Sequence, residues 1–132
     1  MNPAYLIDTD WAIHYLNGHE AVVGEINRLA DEGLALSVIS LAELYEGVYY
    51  SNDPVGSEDG LTALLKNISV IGIEEDVYKT FGKERGRLRQ LRKLIGDFDL
   101  LIASTALSQG LTLLTNNRKH FERIKGLNLI SA

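Results

Sequence analysis

The stretch "YLIDTDWAI", residues 5–13, decides the reading of this chain. A short apolar run, Tyr5-Leu6-Ile7, breaks off into two acids, Asp8 and Asp10, and an apolar pattern resumes at Trp11. An apolar run of this length, bounded by polar residues and followed by a 3.6-residue periodicity, reads as a buried strand feeding a helix. The same unit recurs along the chain. "LALSVI" (34–39), "ISVIGI" (68–73), "LTLLT" (111–115) and "LNLI" (127–130) read as further strands. Helical patterns fill 11–17, 20–32, 40–51, 61–66, 75–94, 98–109 and 118–125, with Gly82 and Gly86 weakening the long one. "NDPVGSEDG" (52–60) reads as a loop, because Pro, Gly and acids cluster there. Strands separated by helices imply crossover connections and a mainly parallel sheet covered on both faces. The expected architecture is therefore α/β, within a single domain spanning 1–132.

In such sheets ligands bind beyond the carboxyl ends of the strands. Asp8, Thr9 and Asp10 follow the first strand; Ser40 and Glu43 follow the second; Thr115, Asn116, Asn117 and Arg118 follow the fourth. Asp97 and Asp99 open the helix that leads into the fourth strand. Carboxylates gathered at one edge disfavour one another's ionisation. A hard divalent cation such as Mg²⁺ or Mn²⁺ would remove that cost, so Asp8 is read as a strand-end metal ligand. Each position has a plainer alternative. Ser40-Leu41-Ala42-Glu43 fits a capping box, Asp10 fits a cap for a helix starting at Trp11, Asp97 or Asp99 fits a dipole-stabilising first-turn acid, and Asn116-Asn117 fits a turn.

Charge is divided unevenly. The 132-residue chain has a net charge of -5, yet residues 1–78 hold 14 acids against only Arg28 and Lys66. "KTFGKERGRLRQLRK" (79–93) holds seven of the 13 bases and one acid, Glu84. A phosphate backbone responds to a local patch rather than to an average, so Lys83, Arg85, Arg87, Arg89, Arg92 and Lys93 are candidate contacts to a nucleic-acid phosphate backbone. A solvated helix face is the competing reading. The absence of cysteine excludes disulfides and thiolate metal sites. No apolar run is long enough to cross a bilayer, and no signal segment is read at the N-terminus, so a cytoplasmic protein is expected. His14, His19 and His120 lack close ligand spacing; none is assigned to catalysis, and His120 is read as a surface residue.

"LIDTD", "SVISLAELYEG", "IGDFDLLIASTAL" and "LTLLTNNRKHFERIKGLNLI", in this order, resemble the PIN-domain ribonucleases, particularly the VapC toxins of toxin–antitoxin pairs. The resemblance implies a three-layer α/β/α sandwich and a Mg²⁺- or Mn²⁺-dependent endoribonuclease. It places the metal-binding and catalytic acids at Asp8, Glu43 and Asp99 and the fourth position at Asn117, which brings no charge. Thr9 and Thr115 match supporting hydroxyls, and Asp97 is either a bystander or an outer acid. It further implies an RNA substrate, transfer or ribosomal, a cognate antitoxin and a homodimer. "LYEGVYY" (44–50) is a candidate surface for antitoxin or dimer contact, in competition with core packing. Two rivals remain. Asp8 and Asp10 have the D-x-D spacing of haloacid-dehalogenase-like phosphatases, and "GDFD" mimics their later acids, although Ala12 and the helix-opening position of those acids oppose it. A non-catalytic RNA- or protein-binding module is the other, favoured by Asn117.

Overall fold

The computed structural model describes residues 2–132. Its strands are β1 (Tyr5–Ile7), β2 (Leu34–Ser37), β3 (Ser69–Ile71), β4 (Thr112–Leu114) and β5 (Leu129–Ile130). All pair in parallel, in the order β3-β2-β1-β4-β5. The helices are α1 (Thr9–Leu16), α2 (Glu20–Leu29), α3 (Val38–Tyr49), α4 (Pro54–Leu65), α5 (Glu75–Gln90), α6 (Asp97–Gln109) and α7 (Arg118–Phe121).

Two-residue alternation sorts the strand side chains onto two faces. Ile7, Leu36 and Leu114 pack with Trp11, Val22, Ile26, Leu44 and Leu61 from α1 to α4. Leu6, Ala35 and Leu113 pack with Leu88, Leu100, Ile102 and Phe121 from α5 to α7. This is the expected three-layer sandwich. Full burial of each such aliphatic side chain contributes roughly 1.5–3 kcal/mol, and the central strands are apolar on both faces because helices cover both. Registers Ile7–Leu36 and Ile7–Leu114 align the carboxyl ends of β1, β2 and β4, so Asp8, Ser37–Val38 and Thr115 leave the sheet at one level.

Several boundaries differ from the sequence reading. Residues 54–65 form α4 rather than an extended loop. Asp53 caps it by accepting from Gly56 N, and Pro54 stands at the first helical position, where a missing N–H costs nothing. The acid-Pro pair was thus a helix start, and burial of Leu61 and Leu64 offsets the weak propensity of Gly56 and Gly60. The second strand ends at Ser37, whose side chain accepts from Ile39 N and caps α3. Ser40 and Glu43 consequently lie inside the helix and do not form its capping box. Asp8, not Asp10, caps α1. Helix α5 passes Gly82 and Gly86 unbroken and ends at Gln90. Helix α2 stops at Leu29 and is followed by a 3-10 turn, and α7 ends at Phe121.

Gly33 is required where it stands. Its φ of 95° is a left-handed value, and a Cβ there would lie 2.8 Å from Pro3 Cα. Its carbonyl accepts from Ala4 N and Tyr5 N, which fixes the entry of β1 beside β2.

Candidate active site

The candidate residues are joined by one hydrogen-bond chain at the carboxyl edge of the sheet. It begins at Asp8, which the end of β1 delivers into the interior with 4% of its surface exposed. Its Oδ1 accepts from Thr9 N at 2.8 Å, and its Oδ2 accepts from Thr115 Oγ1 at 2.7 Å. Asp8 N donates to Leu114 O, extending the β1–β4 ladder by one bond and holding the acid against β4. On the β2 side, Thr9 Oγ1 lies 2.8 Å from Glu43 Oε1 and 2.9 Å from Ser40 Oγ. A hydroxyl has one proton; given to the carboxylate, it leaves Thr9 to accept from Ser40. Ser40 and Glu43, three residues apart on α3, share a helix face, which is why one threonine reaches both. On the β4 side, Asn117 N donates to Thr115 Oγ1 at 3.0 Å, and Asn117 Nδ2 lies 3.1 Å from His120 Nδ1. The same Nδ1 is 3.4 Å from Asp99 Oδ2, in the first turn of α6. Four remote segments thus meet in the order Glu43, Thr9, Asp8, Thr115, Asn117, His120, Asp99.

Bridging is not the same as convergence. Among the described residues, no three His, Asp or Glu side chains lie together closely enough to grip one ion. Glu43 is satisfied by a hydroxyl, and Asp99 faces an imidazole. The carboxylate that stands against Asp8 is Asp10. Burial first, and then the charge of Asp10, push the Asp8 carboxyl up to about 8, against the bonds from Thr115 and Thr9 that favour its ionised form. Asp10 Oδ2 accepts from Asn116 N at 3.2 Å, while its Oδ1 is buried without a partner. A raised buried carboxyl beside an unsatisfied carboxylate oxygen is the electrostatic condition that a divalent cation relieves. Mg²⁺ takes one or two carboxylates and keeps several waters. These residues fit a hydrated cation of that kind, and they do not form a closed cage.

The remaining candidates divide by what they touch. Asp97 is exposed and pairs with Arg85 at 3.0 Å, so it points away from the chain of bonds around Asp8. Arg87 is also engaged: its guanidinium binds Glu84 and donates to Arg123 O at 2.7 Å, tying α5 to the segment after α7. Lys83, Arg89, Arg92 and Lys93 make no ion pair among the described residues. Arg92 has a φ of 57°. Arg92 N donates to Arg89 O and Lys93 N to Leu88 O, a helix-ending motif whose left-handed position usually belongs to glycine.

Three site residues escaped the sequence reading. Ser40 and Asp10 stand in the sequence as strand-end residues or helix caps, Asp10 also as the second acid of the D-x-D rival, and His120 as surface; none is placed there at a PIN-type site. The D-x-D spacing was the available signal for Asp10. For His120 there was none, since its partners Asp99 and Asn117 come from α6 and the β4–α7 turn. Asn116 is a clasp: its Oδ1 accepts from Trp11 Nε1 and from Ala132 N, both at 2.9 Å.

A cleft of about 550 Å³ opens beside Glu43, between α1, α3 and α4. Ile13, Leu16, Leu44 and Val48 supply its apolar wall. "LYEGVYY" is split by the fold: Leu44 and Val48 are buried, whereas Tyr49 and Tyr50 are exposed.

A parallel five-stranded sandwich with an acid capping the helix after its central strand is a PIN-type arrangement, and residues 5–127 match the PIN domain family model. The chain belongs to the PIN domain family. Several of its relatives carry the VapC name. It is 35% identical to Ribonuclease VapC2 of Rickettsia felis over 95% of each chain. It is 29% identical to the tRNA(fMet)-specific endonuclease VapC of Shigella flexneri over 93% of each chain. Its structure superposes with a TM-score of 0.91 on the VapBC2 complex of Rickettsia felis bound to a promoter DNA fragment, at 33% identity, covering 97% of this chain and 98% of that one.

Proposed function

We propose that this chain is an endoribonuclease that uses Mg²⁺ or Mn²⁺ to hydrolyse phosphodiester bonds in transfer or ribosomal RNA, as the cytoplasmic toxin of a VapBC-type pair. The observation that carries the reading is the hydrogen-bond chain from Glu43 through Asp8 to Asp99, which gathers acids from β1, α3 and α6 at one sheet edge. The names of its relatives, Ribonuclease VapC and tRNA(fMet)-specific endonuclease VapC, support the same activity.

Asp8 would hold the cation, with Glu43 and Asp99 reaching it directly or through water and the Asp10 carboxylate beside Asp8 adding its charge. A bound divalent cation supplies a more acidic water and a countercharge for the phosphoryl oxygens. The chain's own groups do the rest. The Thr115 hydroxyl fixes Asp8, and the Thr9 hydroxyl orients Glu43, leaving Glu43 Oε2 available to take a proton from the attacking water. Lys83 and Arg89 on α5, and Arg92 and Lys93 just beyond its end, hold the RNA backbone, while Arg87 holds the protein together.

The cleft beside Glu43 suits an apolar antitoxin segment whose seating would also block the acid. Tyr49 and Tyr50 lie beyond its wall and suit a contact with the antitoxin or with a second copy in a homodimer.

The test is cleavage of cellular RNA by purified protein, with 5′ ends mapped. Cleavage should require Mg²⁺ or Mn²⁺, stop with EDTA, and stop in Asp8→Asn and Asp99→Asn proteins that remain folded. Metal-independent RNA binding without cleavage would overturn the enzyme reading in favour of a binding module.

A further inference from the structure

We propose that Phe98 is a stacking platform for one base of the RNA, held beside the acid Asp99 and framed by the cations at the end of α5. The proposal rests on the ribonuclease reading above and adds to it a residue that touches the substrate.

The starting point is an aromatic ring left in water at the candidate site. Phe98 is the second residue of α6, and 59% of its surface is exposed. Covering a phenylalanine removes about 150–250 Å² from water, so leaving it bare forgoes a large stabilisation. The helix sets its direction. Leu100 and Ile102 turn into the core and Asp99 turns toward His120, which leaves Phe98 on the solvent side of the first turn. That turn is rigid before any ligand arrives: Asp97 is tied to Arg85 at 3.0 Å, and Leu100 N donates to Gly96 O. The approach to it is open, since a Cβ on Gly96 would meet nothing within 4 Å.

The surroundings say what covers the ring. Arg89 lies one turn along α5 from Arg85 on the same side, so the Arg85–Asp97 pair brings Arg89 toward the start of α6. Arg89, Arg92 and Lys93 are exposed and make no ion pair among the described residues. Arg123 Nη1 donates to Lys93 O and Leu94 O, which pins the stretch between the two helices. Leu91 and Leu94 are exposed within that stretch. Exposed cations interleaved with apolar and aromatic side chains make a surface for single-stranded nucleic acid: the cations follow the phosphates, and the aromatic face takes a base. Charge chooses between occupants. A second copy docked here by two-fold symmetry would gather the cations of both copies into one contact, at a cost. A polyanion that carries bases satisfies the cations and the ring together.

The experiment measures binding of a short fluorescent oligouridylate at several salt concentrations, in EDTA so that no cleavage intervenes. Phe98→Ala should weaken binding by roughly 5- to 150-fold, the worth of one base–aromatic stack. The slope of log affinity against log salt should stay the same, since no phosphate contact is lost. Phe98→Trp should bind at least as tightly as wild type, and Phe98→Leu, apolar but without a π face, should bind weakly. The Trp-against-Leu comparison carries the test should alanine disturb the fold. An abasic ribose–phosphate chain of the same length supplies the control: wild type and Phe98→Ala should bind it equally. Unchanged oligouridylate affinity in Phe98→Ala, rescue by Leu as complete as by Trp, or an equal loss on the abasic chain would overturn the proposal. So would a wild-type dimer that Phe98→Ala converts to monomer in sedimentation, because a second copy would then cover the ring. Failure of wild type to bind the oligouridylate at all would overturn this proposal and count against the ribonuclease reading. Metal-dependent cleavage with binding indifferent to Phe98→Ala would sink this proposal and spare the ribonuclease.

Discussion

Thr115 Oγ1 donates to Asp8 Oδ2 across 2.7 Å, and both residues are buried. The bond joins β4 to β1 at the point where the sheet gives way to the site. Thr115 also accepts from Asn117 N, so one hydroxyl serves the central acid and the turn that carries Asn117 and His120. Thr115→Val keeps the shape and deletes both bonds. Stability should fall by about 1–3 kcal/mol, the cost of leaving buried polar groups unpaired. Urea denaturation at neutral pH measures it; a change within experimental error would show that the hydroxyl is not structural.

The raised Asp8 carboxyl predicts a pH dependence of stability. With its folded value near 8 and its ordinary value at 3.8, the folded protein holds this proton over a range where the unfolded chain has lost it. Stability without added metal should therefore decline as pH rises from about 4 to about 8, by at most about 1.4 kcal/mol per pH unit from this one group, and level off above. Asp8→Asn should flatten that slope and stabilise the metal-free protein near pH 8. Saturating Mg²⁺ should raise the melting temperature of wild type more at pH 8 than at pH 6, since binding requires the ionised acid. Identical pH profiles for wild type and Asp8→Asn would contradict the assignment.

The bases of α5 should separate into two groups. Arg87→Ala should lower stability, because Arg87 binds Glu84 and the Arg123 carbonyl. Arg89→Ala and Lys93→Ala should leave stability nearly unchanged. They should weaken RNA binding and reduce the slope of log affinity against log salt by about 0.7 for each lost phosphate contact on a single strand. Titrations at several salt concentrations distinguish the groups.

Arg92 occupies a left-handed position, with φ 57°, at the end of α5. Such a conformation costs a residue with a Cβ about 1–2 kcal/mol relative to its usual regions. Arg92→Gly should thus raise stability by up to about 1 kcal/mol, the gain being reduced by glycine's extra freedom in the unfolded chain. RNA affinity should fall in the same variant. Unchanged or lower stability would show that the arginine side chain makes a compensating contact.

Asp8 was legible before folding because its signal is local: three apolar residues, then an acid, then a helical pattern. The strands, their parallel pairing and the candidate acids Glu43 and Asp99 follow from the same kind of pattern together with the resemblance. Helix α4 was misread because Pro and Gly suggest a turn when taken alone, whereas Asp53-Pro54 begins a helix once Leu61 and Leu64 have a core to enter.

What the sequence by itself determined is the set of faces and strand ends, since side-chain periodicity and chain direction are properties of the linear order. Only the tertiary structure decided which groups meet. It put Asp10 rather than Glu43 or Asp99 against Asp8, turned Asp97 toward Arg85, and set His120 between Asn117 and Asp99. Those pairings depend on strand register and on the rotation of α3, α6 and α7 about their axes. Both are fixed by packing between segments far apart in the chain, where no local pattern reaches.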